Sequence, residues 1–222
     1  MKIEQASIST DLLQSNIKEA EYLLSKFKGP KAKPCIDCSK LCSCCNTKNC
    51  SADCSMNCPL AAEELSSDKT LYPIESKILP LVYILSALDV CKLCWSCEGH
   101  SDSVGVVNKV PQIWFYTDSL VFIRLLSECF GALYSSCNKA HRLSYLWDVV
   151  ATYSAKDNMH NTFSIKPNLT FVNEINLFSL QHDILIMAEL VPDKLTALCQ
   201  DYLNRLQQTL LRCNEKGEIT WG

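Results

Sequence analysis

Cys91-Lys92-Leu93-Cys94-Trp95-Ser96-Cys97-Glu98-Gly99-His100 is the stretch on which the fold turns. Three cysteines recur at every third residue, and a histidine follows one step further on. Upstream, Ile74, Ile78, Leu81, Leu85 and Leu88 keep a helical period, so the pattern predicts a helix over 74–89. Pro80 either kinks that helix or marks its start. The cysteine triplet is then expected at or just past a helix end. Downstream, Glu98 to Pro111 carries Gly99, Gly105 and two serines and reads as a loop.

Further from the triplet, the patterning alternates between helix and strand. Leu13, Ile17, Ala20, Leu24 and Phe27 predict an amphipathic helix over 10–27, capped by Thr10 or Asp11 and stopped by Gly29-Pro30. Ile113 to Tyr116 reads as a short aromatic strand. Thr117 or Asp118 opens a helix whose stripe is Phe122, Leu126, Cys129, Leu133 and Cys137. Tyr145 to Tyr153 and Phe163 to Ile165 are two more strands. Asn173 is expected to cap a helix carrying Leu177, Leu180 and Ile184 inward. Pro192 is expected to separate it from a last helix bearing Leu195, Cys199, Tyr202, Leu206, Leu210 and Cys213. This order predicts an α+β fold: a mostly helical body, a small antiparallel sheet and a cysteine-rich loop ordered by metal. We expect a single domain over 1–222, with 31–59 as a cysteine-rich metal-binding insertion.

Composition narrows the function classes. The chain has 222 residues, 48% of them hydrophobic, enough for one good core. Its net charge of −3 does not suggest strong non-specific nucleic-acid binding. Lys26, Lys28, Lys31, Lys33, Lys40 and Lys48 face only Asp37 and Asp53 over 26–59, so that segment is a basic patch suited to an acidic protein partner, redox or signalling. No glycine-rich phosphate loop is present. The N-terminal residues lack a continuous apolar run and carry acids, and no stretch reaches the length of a membrane span. A cytoplasmic location without membrane contact is therefore expected. In a reducing compartment, fifteen cysteines are better ligands than disulfide partners.

The sulfur is concentrated in two places. One is the triplet. The other is the field Cys35, Cys38, Cys42, Cys44, Cys45, Cys50, Cys54 and Cys58. That field has almost no apolar bulk, so metal coordination is the natural way to order it. Adjacent Cys44 and Cys45 do not easily serve one ion together. The triplet spacing resembles the cluster loop of bacterial-type ferredoxins, in which a fourth cysteine followed by proline completes the set. Here Cys58, which precedes Pro59, and His100 are the two substitutes. The resemblance implies a cofactor site of Cys91, Cys94, Cys97 and Cys58, and a 4Fe–4S cluster, one or more. Zinc held by the three thiolates and His100 is the alternative.

Three functional readings follow. The first is an iron–sulfur protein acting in electron transfer or redox sensing. The second is a zinc-ordered module that binds a protein or, less in keeping with its charge, a nucleic acid, without turnover. The third is a metal-dependent enzyme whose acid–base groups are Glu98, His100 and Asp102. Cys129, Cys137, Cys199 and Cys213 are expected as core packing, and His141, His160 and His182 as surface residues.

Overall fold

The computed structural model describes residues 9–28, 65–66, 74–152 and 161–216. The field Cys35–Cys58, and with it the insertion expected over 31–59, lies outside the described residues. So do His160 and Tyr153. The described elements are α1 (Thr10–Phe27), α2 (Leu79–Ala87), β1 (Lys92–Cys97), β2 (His100–Ser101), β3 (Val107–Lys109), β4 (Gln112–Tyr116), α3 (Leu120–Tyr134), a 3-10 turn (Lys139–His141), β5 (Trp147–Ala151), β6 (Thr162–Pro167) and α4 (Leu177–Lys216). The fold is α+β, with a mostly helical body and a small antiparallel sheet.

Each helix forms where its apolar period and end chemistry agree. In α1 the stripe Leu13, Ala20, Leu23, Leu24 and Phe27 is buried, and the Ser9 hydroxyl accepts the Leu12 N–H at its start. The cap is therefore Ser9, one residue before Thr10. In α2 every residue from Leu79 to Leu85 is buried, as a helix apolar on all sides must be. Pro80 lies in its first turn, where proline lacks no needed N–H, so it marks the start of a helix shorter than the 74–89 expected. Ser119, rather than Thr117 or Asp118, caps α3 by accepting the Phe122 N–H.

The two C-terminal helices expected on either side of Pro192 are one helix of 40 residues. Proline removes one rung of the ladder, but α4 continues through it. Pro192, Val191 and Leu195 are buried, and the Thr196 hydroxyl donates to the Pro192 carbonyl at 2.8 Å. α1, α2 and α3 all pack against α4.

The main sheet has the order β1-β4-β6-β5, every pair antiparallel. Its inner face carries Ile113, Phe115, Phe163 and Ile165. Phe115 stacks on Phe163 at 6.0 Å and meets Phe122 of α3 edge-on at 6.3 Å. Trp114 and Tyr116 point the other way and are half-buried. Cys94 and Cys97 of the triplet lie in β1, and Cys91 in the bend between α2 and that strand. A register shift between Leu93 and Trp95 places a bulge at Cys94. The segment expected as a loop contains the hairpin β2–β3, in which His100 faces Lys109.

Candidate metal centre

Two of the three donors in the candidate centre lie at the end of β1. Cys97 closes that strand, paired with Gln112 of β4, and its side chain is buried. Glu98 and Gly99 then turn the chain into β2. Gly99 makes the turn possible for two reasons. Its φ is +82°, and a Cβ there would lie 2.7 Å from both Leu177 Cδ1 and Pro111 Cδ. The turn presents His100 beside Cys97.

Glu75 supplies the third donor from the segment preceding α2. His100 Nε2 and Glu75 Oε1 are 2.9 Å apart, and the other carboxylate oxygen of Glu75 accepts the Glu98 N–H at 2.7 Å. The donor atoms of Glu75, Cys97 and His100 all lie within 4.8 Å of one another. Tetrahedral zinc places such S, N and O donors about 3.3–3.6 Å apart. An ion would spread the His100–Glu75 pair slightly, replacing the shared proton, and draw the sulfur in. The Glu98 N–H grips the oxygen of Glu75 that faces away from His100, the kind of outer contact that orients a ligating carboxylate. The charges also match, since one thiolate, one carboxylate and a neutral imidazole offset a divalent cation.

Electrostatics at the sulfur are dominated by burial. Burial raises the Cys97 thiol above its ordinary value; a backbone hydrogen bond from Gly99 and the charge of Lys109 pull it down, and the Glu75 carboxylate pushes it up. Without a cation, the Cys97 proton is held more tightly than in water. A metal ion reverses that balance, because it binds the thiolate directly.

The other expected site residues go elsewhere. Cys91 is enclosed at the start of β1, where its thiol lies 3.8 Å from the Leu85 carbonyl and burial pushes it up to about 12. It behaves as a small packed hydrophobe. Cys94 is exposed at the bulge. The cluster reading of the triplet is thereby overturned. Side chains three apart on a strand project to opposite faces, so the repeat that converges in a tight turn diverges here. Among the described residues, Cys97 is the one cysteine in a metal-binding group. That donor set suits one ion and not a 4Fe–4S cluster, which takes four thiolates. The iron–sulfur cofactor of Cys91, Cys94, Cys97 and Cys58, and the electron-transfer and redox-sensing function built on it, are corrected accordingly. The cysteine-rich character assigned to the site is corrected with them. Cys58 and the field Cys35, Cys38, Cys42, Cys44, Cys45, Cys50 and Cys54 lie outside the described residues.

Glu98 and Asp102 are occupied by the backbone. Glu98 Oε2 accepts the Lys77 N–H at 2.7 Å. Asp102 Oδ1 accepts the N–H groups of Val104 and Val106 at 3.0 and 2.9 Å, which folds the tip of the β2–β3 hairpin. Of the three acid–base candidates, His100 alone joins the metal-binding group.

Among the remaining cysteines, Cys129 and Cys199 are buried in the core as expected, while Cys137 is exposed and Cys213 half-buried. His141 and His182 are on the surface. Glu75 is the candidate donor that the sequence reading missed. It lies 22 positions before Cys97, inside a stretch whose helical period hid it. Among the described residues, no helix is long and apolar enough to cross a membrane. No family model, no curated protein and no solved structure matches the chain.

Proposed function

We propose that this protein is a zinc-ordered interaction module in which Glu75, Cys97 and His100 hold one divalent cation, without turnover. The observation that supports this reading is the convergence of three chemically different donors within 4.8 Å. They come from two segments far apart in sequence. An ion bound there clamps the segment before α2 to the β1–β2 turn, and its binding energy adds to that of folding. Zinc is the best match to a mixed S, N and O set of this size. The use of Glu98 and Asp102 as backbone acceptors favours a structural over a catalytic role. The lysine-rich segment over 26–59 supports an acidic protein as the partner.

Cobalt(II) is the direct probe, because a thiolate on cobalt gives a charge-transfer band in the near ultraviolet. Comparison of the full chain with single variants isolates this site from other thiols. Cys97→Ser should lower both the band and the bound cobalt by one site's share, and Cys94→Ser should change neither. An unchanged spectrum in Cys97→Ser would refute the proposal.

A further inference from the structure

We infer that the cation at Glu75, Cys97 and His100 presents an exchangeable fourth position that takes a carboxylate, with Lys109 holding the carboxylate's second oxygen. This rests on the zinc reading of the same three residues. Three donors leave a four-coordinate ion one position short. The site also reaches the surface, since the side chains of His100 and Glu75 remain 43% and 32% exposed. The nearest acids in sequence do not fill the position. Glu98 is bound to the Lys77 N–H, and Asp102 to its own hairpin.

Lys109 decides the charge of the incoming group. It lies directly opposite His100 in the β2–β3 ladder, and directly opposed residues in an antiparallel pair project to the same side. It is exposed, and its charge is felt at the Cys97 sulfur. The Asp102 contacts that fold the hairpin tip also fix its register. An ion of zero net charge after its three ligands, with an ammonium beside it, favours a monovalent anion with two acceptor atoms. A carboxylate offers one oxygen to the metal and the other to Lys109. The step is a ligand exchange: water leaves the ion as the carboxylate oxygen binds, with no change of oxidation state. A free small carboxylate and an acidic side chain of a partner offer the same chemistry.

The test uses the full chain loaded with cobalt(II), titrated separately with sodium acetate and with a short glutamate-containing peptide whose termini are blocked. The visible cobalt bands should change and saturate. Lys109→Met should keep the cobalt stoichiometry and raise the apparent Kd by about threefold or more, as expected for removing a nearby charge. Tighter binding of the peptide than of acetate identifies a partner side chain as the source, and equal binding identifies a small carboxylate. His100→Ala should lose one cobalt together with the response. If His100→Ala loses its cobalt but neither carboxylate alters the wild-type bands, the position is closed and this inference is overturned while the metal site stands. An equal response in Lys109→Met overturns the role of Lys109. If His100→Ala keeps all its cobalt, the metal reading falls and this inference with it.

Discussion

Asp183 has no exposed surface, yet it is a carboxylate on a helix. Its two oxygens accept the N–H groups of Ser144 and Tyr145 and the indole N–H of Trp147, at 2.7, 3.0 and 3.0 Å. These bonds fasten the chain entering β5 to α4. Asparagine has one acceptor oxygen where the carboxylate has two, so Asp183→Asn would leave at least one buried N–H facing an amide. We predict a loss of about 1–3 kcal/mol in urea unfolding. Burial raises the pKa of Asp183 above the ordinary carboxylate value, against the hydrogen bonds from Ser144, Tyr145 and Trp147 that lower it. The folded chain then binds this proton more tightly than the unfolded chain. Its contribution to stability therefore falls as pH rises from about 4 through the raised folded value. Asp183→Asn should flatten that slope. Gly99 is a second decisive residue. Gly99→Ala combines a positive φ with a Cβ placed only 2.7 Å from Leu177 Cδ1 and Pro111 Cδ, so a loss of about 2 kcal/mol or more is expected by the same measurement. His182-Asp183 looked like helix surface in the sequence, because periodicity assigns faces but does not reveal which polar group is wanted inside.

The elements were legible to different degrees for physical reasons. α1 and α3 carry clear stripes and appear where the periodicity puts them, with caps displaced by one or two residues. β4, β5 and β6 were visible as aromatic and β-branched runs. α4 was read as two helices because proline disfavours a helix interior by about 3 kcal/mol. The packing of α1, α2 and α3 against α4 outweighs that cost. Leu195 sits near its middle with no exposed surface. Leu195→Ala should cost about 2–5 kcal/mol in urea unfolding, against near neutrality for an exposed position such as Glu189→Ala. β1 was misread because its cysteine period of three mimics neither a strand nor a helix. The bulge at Cys94 accommodates that irregular sequence without breaking the pairing with β4.

At the scale of the whole molecule, the helical body and the candidate metal centre are separable. The core of α1 to α4 and the inner sheet face is continuous and does not include Cys97. Glu75, Cys97 and His100 sit instead where the segment before α2 meets the β1–β2 turn. Loss of the ion should loosen that junction and spare the core. Hydrogen exchange should therefore quicken at the amides of 98–100 after chelation, with little change at 184–199 of α4. That Cys97 and His100 are candidate ligands was legible from sulfur and imidazole at close spacing. The ligand set was not, because Glu75 joins it only through the folding of α2 and β1 against each other.

The most direct measurement is the zinc content of the full chain, purified under reducing conditions, in Glu75→Gln, Cys97→Ser, His100→Ala and the triple variant. The account predicts that Cys97→Ser and His100→Ala each lose about one zinc per chain, that Glu75→Gln weakens retention of the same ion, and that the triple variant loses no more than one, since the three residues serve a single site. Zinc contents equal to wild type throughout, or losses that add up to more than one ion, would contradict it.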